Sequence, residues 1–303
     1  MKKIFFLLAF AAGMGLCLHA QQLVILSTNK PAFSASGGHF YPKFSPDGKF
    51  MLTTHANYSG LYLYEFATER LQQINSEPGA GYQAQISDDG STILYNRIEL
   101  INNRRHNSLH SVSRSEGAQR QLTNVSREPV TPRFSGNKPS WVQGKSLVRP
   151  QVTNAELRPV ITVEDRKMVI YQGSTRKVLD PNGNDASYIW PSFSPDRKNI
   201  VYTVAGRGTF VCTVDGKRVR SLGKLNAPAW LNNNWVVGMD DRDDGGRVVA
   251  SDLYVVAADG TKRQPISTPE ALIAMYPAVS PDGSRIAFNT DNGEIYILQV
   301  TIR

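Results

Sequence analysis

The sequence predicts an all-β chain folded as a six-bladed β-propeller, closed by pairing an N-terminal strand with the last blade. Three observations carry this. First, the stretch Tyr41-Pro42-Lys43-Phe44-Ser45-Pro46-Asp47-Gly48 returns as Trp190-Pro191-Ser192-Phe193-Ser194-Pro195-Asp196 and as Tyr276-Pro277-Ala278-Val279-Ser280-Pro281-Asp282-Gly283, with a degraded copy over Tyr82–Gly90. Second, the motif serines at 45, 87, 194 and 280 are separated by 42, 107 and 86 residues. These gaps read as one period, two longer units and two periods, and a repeat of about 40–45 residues built from short strands marks an array of propeller blades. Third, the last copy leaves room for only three strands before Arg303, whereas Leu23–Thr28 is a strand with no hairpin neighbour. Joining the two closes the ring and removes free sheet edges.

The motif is a turn between two strands. Proline presets φ at the second turn position, Asp and Ser bond nearby backbone, and Gly accepts positive φ. Pro42, Pro191 and Pro277 each stand two residues before an apolar strand residue. A ladder cannot use a proline nitrogen, so each belongs to an edge strand, as the innermost strand of a blade is.

Taken in order, residues 1–20 read as a secretory signal peptide cleaved after Ala20: Lys2-Lys3, an apolar run from Ile4 to Leu18, then Leu18-His19-Ala20. The run is short for a membrane span, and no other segment approaches one. Leu16 stands before Cys17 where a lipobox needs a small residue, so a lipoprotein anchor is not expected. Residues 21–303 form a single propeller. Blade one covers about Tyr41–Ile74, and blade two Tyr82–Thr123 with a polar insertion over Arg97–Asn107. In blade three, Pro132-Arg133-Phe134-Ser135 or Pro139-Ser140-Trp141-Val142 supplies the first strand, with Val160–Val163 and Met168–Tyr171 as later ones. Blade four covers Tyr188–Leu222, blade five runs from Pro228 to the Asp259-Gly260 turn, and blade six runs from Tyr276 to Val300.

Cleavage leaves one cysteine, Cys212, in the apolar run Phe210–Val214, which precludes an intramolecular disulfide and reads as an inert core thiol. The formal charge of +8 loses two units with the leader. The remainder admits acidic partners, glycans or lipid headgroups, and export argues against nucleic acid.

The repeats resemble the propeller of TolB, the periplasmic component of the Tol-Pal system, and the wider set of exported TolB-like, WD-repeat-like propellers. The matching residues are the three Tyr/Trp-Pro…Ser-Pro-Asp copies quoted above, and the resemblance spans roughly residues 22–303. It implies a scaffold for protein–protein interaction. TolB carries a further domain ahead of its propeller; only about twenty residues lie between Gln21 and Tyr41 here, so that domain is expected to be absent. Similar motifs occur in prolyl-oligopeptidase-type enzymes, whose hydrolase domain needs a Gly-x-Ser-x-Gly elbow. The sequence contains none, and no catalytic residue is expected.

The candidate sites are therefore surfaces. His106 and His110 are four apart in a stretch that is not helical, which does not suit a metal pair. The loop Asp240-Asp241-Arg242-Asp243-Asp244 invites a weak calcium site, but no register through it gives the alternating oxygens of an EF-hand. Arg97, Arg104 and Arg105 lie on one connection of blade two and suit an anionic group. Inter-blade connections and the second hairpin loop of each blade share one face, around the channel mouth. Aromatics cluster at the starts of the inner strands there: His39 with Tyr41, Tyr82, Tyr188 with Trp190, and Tyr276. Such a ring has the composition of a recognition surface. The expected function is non-catalytic docking of another envelope protein or lipoprotein. The alternative is a glycan-binding or glycan-cleaving propeller, which needs a pair of close carboxylates inside the mouth.

Overall fold

A computed structural model describes residues 21–150, 158–269 and 272–303; the leader assigned to residues 1–20 lies outside them. The chain forms seven antiparallel sheets around a central channel, not six. Blade 1 holds β2 (Phe40–Phe44), β3 (Phe50–Thr54), β4 (Leu61–Glu65) and β5 (Arg70–Asn75). Blade 2 holds β6 (Gln85–Ile86), β7 (Thr92–Ile101), β8 (Arg104–Ser113) and β9 (Gln119–Gln121). Blade 3 is β10 (Thr131–Ser135), β11 (Lys138–Gln143) and β12 (Ser146–Val148), and blade 4 is β13 (Val160–Glu164), β14 (Lys167–Gln172) and β15 (Thr175–Leu179). Blade 5 holds β16 (Tyr188–Phe193), β17 (Asn199–Val204), β18 (Gly208–Thr213) and β19 (Arg220–Gly223). Blade 6 holds β20 (Asn226–Trp230), β21 (Trp235–Asp243), β22 (Val248–Ala257) and β23 (Arg263–Ile266). Blade 7 is β24 (Met275–Val279), β25 (Arg285–Asn289), β26 (Ile295–Ile302) and, from the other end of the chain, β1 (Leu23–Asn29).

The six-blade expectation fails in the 107-residue gap, which holds three units rather than two. Thr131-Pro132-Arg133-Phe134-Ser135 is the inner strand of blade 3, and Pro139–Val142 belongs to its hairpin partner rather than competing for the same role. Val160–Val163 and Met168–Tyr171, expected as later strands of that sheet, form a separate blade. Both blades have only three strands among the described residues, so their units are short and their turns lack the Ser-Pro-Asp-Gly signature.

Blade 4 is also inverted. At one end, Arg197, in the first turn of blade 5, donates to the carbonyl of Pro159 just before β13 (3.3 Å). At the other, the Tyr188 amide that opens β16 donates to the carbonyl of Arg166 just beyond β13 (2.9 Å). The start of β13 thus lies beside the end of β16. On the other flank, Arg149 bridges Ser135 at the end of β10 (3.1 Å) and Arg158 before β13 (3.2 Å). β13 runs antiparallel to the inner strands on both sides of it.

The motif turns are built alike. Ser45 Oγ donates to Asp47 Oδ1 (2.6 Å) and accepts from the Phe50 amide (3.1 Å), while Asp47 accepts from Lys49 (3.1 Å). The same three bonds recur around Ser87, Ser194 and Ser280, all buried. Arg197 occupies the left-handed position (φ 59°) filled by Gly48 and Gly283 in other copies. These hydrogen bonds favour the ionised carboxylates, and Ser280 together with Ser284 draws Asp282 down to about 2 despite partial burial.

The core lies between blades rather than within them. β3 is buried along its whole length. Phe50 and Leu63 of blade 1 pack with Ile93 and Tyr95 of blade 2, and Met168 and Ile170 of blade 4 pack with Ile200 and Tyr202 of blade 5. Cys212 belongs to that second cluster, fully buried, and burial pushes its thiol up to about 12. A thiol reagent should therefore label Cys212 only after unfolding; rapid labelling of Cys212 in the native protein would contradict this packing. No helix among the described residues is long and apolar enough to cross a membrane.

Candidate binding site at the channel mouth

A recurrent backbone device aims side chains into the mouth. At one position of each regular inner strand φ is positive: Tyr41 (52°), Gln83 (56°), Trp190 (53°), Ala227 (46°) and Tyr276 (52°). In four of these blades the next residue is proline and the ladder slips there, for example between Phe40 and Lys43 and between Met275 and Ala278. The slip is a β-bulge, which kinks an edge strand and re-aims its side chains. The freed amides find other partners: Tyr41 donates to Asn289 Oδ1 (3.0 Å), and Tyr276 faces the Met239 sulfur (3.3 Å). Non-glycine residues held at positive φ cost of order 1–3 kcal/mol each, which the surrounding sheets must offset.

Two of these residues, Tyr41 and Tyr276, join Tyr58 and Tyr82 in a continuous row of four tyrosines. Tyr41 lies against Tyr276 (centroids 4.6 Å apart) and stacks on Tyr58 (4.4 Å, 19°), and Tyr82 meets Tyr58 edge-on (5.2 Å, 72°). Burial pushes the Tyr41 phenol up, and pushes Tyr276 up to about 12, so both are neutral hydrogen-bonding groups. Tyr82 and Trp190 are each about 40% exposed. Sequence reasoning missed Tyr58, which comes from the short 3-10 turn Ala56–Tyr58 between β3 and β4 rather than from an inner strand.

Other expected members of the ring are elsewhere. Tyr188 is a core residue, 1% exposed, bonded through its hydroxyl to Asp180 (2.8 Å). His39 is buried against Phe33, His55 and Tyr62, with Nδ1 3.0 Å from Thr53 Oγ1. Burial, and then the neighbouring His55, pushes it down to about 4, so it is a neutral packing residue.

Two long hairpins rise at the mouth face. In β7–β8, Arg97 is occupied by Glu77 and Glu99 (3.2 and 3.1 Å), whereas Arg104 and Arg105 are exposed opposite Ile101 and Leu100, themselves exposed. In β21–β22 the acidic loop satisfies itself: Asp240 pairs with Arg263 (2.8 Å), Asp241 accepts from Asn226 (2.7 Å), and Asp243 and Asp244 accept amides of their own turn. No group of three or more metal-ligating side chains occurs among the described residues.

Below the tyrosines the channel opens into a cavity of about 920 Å³. Among the described residues its lining contains one carboxylate, Asp88, held by Arg158 (2.5 Å). The close carboxylate pair that glycoside hydrolysis requires is not found there. Three cations line it, Arg197 at one end and, further in, Lys43 and Arg133. Lys43 and Arg133 occupy one register in the repeat, Pro-Lys-Phe-Ser and Pro-Arg-Phe-Ser, and aligning those copies would have shown them as a pair.

No family model and no curated protein matches the chain. Solved structures do. TolB from Acinetobacter baumannii is 18% identical with a TM-score of 0.52, over 80% of this chain and 57% of that one; the chain therefore spans little more than half of that protein. A putative TolB from Agrobacterium tumefaciens is 14% identical with a TM-score of 0.55, over 94% of this chain and 99% of that one. A chain of a mitotic checkpoint complex is 10% identical with a TM-score of 0.62, over 99% and 98%. At these identities the likeness shows the β-propeller fold.

Proposed function

We propose that this chain is a non-catalytic interaction propeller of the cell envelope, which docks a protein partner, an envelope protein or lipoprotein, over the channel mouth. The observation that carries the reading is the row Tyr276–Tyr41–Tyr58–Tyr82, continued in sense by the exposed Trp190. Rigid aromatics with polar tips lose little entropy on binding and dominate interface hot spots. The exposed Arg104/Arg105 and Leu100/Ile101 hairpin tip supplies a charged, apolar flank to the same face. The envelope location rests on the leader-like residues 1–20, and the protein partner is supported by the likeness to TolB and checkpoint-complex propellers.

The test uses the mature chain as bait in envelope extract, followed by titration of the captured partner. Tyr58→Ala and Tyr82→Ala are expected to weaken binding by ~2 kcal/mol or more each if they are hot spots. Charge reversal at Arg104 and Arg105 should mainly slow association and change its salt dependence. Changes at the Asp47-Gly48 and Asp282-Gly283 turns, on the opposite face, should leave affinity alone. The reading fails if the mouth variants bind normally while opposite-face variants do not.

A further inference from the structure

The channel beneath the mouth has a chemistry that the docking surface does not require. The residue two places before the turn serine, or its equivalent, holds one register along the inner strands. It is Lys43, Gln85 and Arg133 on blades 1 to 3, and Ser192, Ala229 and Ala278 on blades 5 to 7. Lys43, Gln85 and Arg133 line one arc of the cavity with two cations and an amide, whereas the matching residues of blades 5 to 7 are small. Lys43 Nζ donates to the carbonyl of Ala84 (2.7 Å), and Arg133 to those of Pro132 (2.7 Å) and Ile161 (3.1 Å). Neither has a carboxylate partner among the described residues. Arg197 lines the far end, where the carboxylate of Asp88 is already paired with Arg158.

Two unpaired cations surrounded by protein are costly, because desolvation is not repaid by a counter-charge. Both are pushed down accordingly, Lys43 to about 8 by burial and then by Arg133, and Arg133 to about 10 by burial. Their bonds are to backbone carbonyls alone, which leave the charges themselves uncompensated. An incoming anion would lift that cost.

We propose that the central channel is an anion site, in which Lys43 and Arg133 receive the carboxylates of an extended acidic segment of the docked partner. The assignment rests on the mouth-docking reading for the partner's position. The cavity, about 920 Å³ and open at the tyrosine row, accepts a strand-like segment passing between the aromatics. A planar guanidinium beside an ammonium suits carboxylates presented at successive positions of such a segment.

The experiment titrates hexaglutamate, hexaglutamine and citrate separately into the mature protein in a low-salt zwitterionic buffer, with Lys43→Met, Lys43→Arg, Arg133→Met and Tyr82→Ala alongside. Hexaglutamate should bind and hexaglutamine should not. Each Met variant should lose about tenfold or more in affinity while remaining folded, and Lys43→Arg should retain most of it. The proposal is overturned if hexaglutamate binds equally to wild type and both Met variants, or binds nowhere. It is also overturned if citrate binds at Lys43 and Arg133 while the peptide does not, since the site would then be one for a free small anion. If the captured partner loses affinity for Tyr82→Ala but not for the Met variants, the channel assignment falls and the mouth reading stands. The reverse pattern sinks the mouth reading and keeps the anion site.

Discussion

Deletion of residues 21–29 is expected to lower stability by roughly 3–5 kcal/mol or to abolish monodisperse folding altogether. β1 pairs with β26 from Leu23 opposite Ile302 to Asn29 opposite Ile297, and Gln22 and Arg303 exchange amide bonds at the chain ends (2.8 and 3.0 Å). Gln264 clamps Leu23 from blade 6, its side chain accepting from the Leu23 amide (3.0 Å) and donating to its carbonyl (2.8 Å). Leu23 is itself 3% exposed in the cluster that joins blades 6 and 7. The deletion would lose that burial, worth about 1.5–3 kcal/mol for a leucine, and several ladder bonds of about 1 kcal/mol each. It would also leave the eight residues of β26 as an open edge, which invites pairing between molecules. Chemical denaturation and light scattering decide the matter; an unchanged midpoint with a monodisperse truncated protein would show that the terminal pairing contributes little.

Lys43→Met should do the opposite and stabilise the protein near neutral pH, by about 2 kcal/mol. Lys43 is pushed from 10.5 down to about 8 by burial and by Arg133. Below pH 8 the folded and unfolded chains both hold the proton, and the full cost of a charged, buried amine is present. Between about pH 8 and 10.5 the folded protein releases the proton that the unfolded chain keeps, so this group makes stability rise with pH. A shift of one pH unit corresponds to about 1.4 kcal/mol, and the partial contact of Lys43 with channel water reduces the full effect. The gain from Lys43→Met should therefore be largest at pH 7 and should shrink markedly by pH 9.5. Above pH 10 the raised tyrosines oppose the trend, because the unfolded chain then loses protons that Tyr41 and Tyr276 retain. Urea titrations of both proteins at pH 7 and pH 9.5 measure the difference; a variant less stable at pH 7 would show that Lys43 is compensated in the free protein.

The parts of the fold that could be read in advance were those whose signal is local. Ser45, Ser87, Ser194 and Ser280 each close a turn through bonds within five residues, so residue identity alone located four blades. Pro42, Pro191 and Pro277 marked inner strands because a missing N–H is tolerated only on an edge. Blades 3 and 4 escaped because their turns are made differently: Gly136-Asn137 and Asp165-Arg166 reach positive φ at Gly136 (59°), Asp165 (46°) and Arg166 (65°) with no Ser-Asp network. Apolar strands without that punctuation could be grouped in more than one way. At the site, Tyr41 and Tyr276 were visible because they precede proline, and Tyr82 because it opens the degraded copy of the repeat. Tyr58 was not, since its place depends on how the loop from blade 1 folds back over the mouth. Tyr188 and His39 misled for a related reason. Both are aromatics close to an inner strand but off the bulged position before proline, and both pack into the seam between blades instead.

The inverted blade carries a topological consequence. A sheet of four strands returns the chain to the face from which it set out, whereas one of three strands delivers it to the other face. A single odd blade would leave every later turn on the wrong side of the ring and would bring the last strand to β1 in the wrong direction. Two odd blades in succession restore the parity. Arg149, just after β12, and Arg158, just before β13, are bonded to each other (3.2 Å), so the chain leaves blade 3 and enters blade 4 on the turn face. Arg133 lies on the inner strand of blade 3, so, on the docking reading proposed above, longer loops grafted at residues 144–145 between β11 and β12 should obstruct a partner's path to the channel cations.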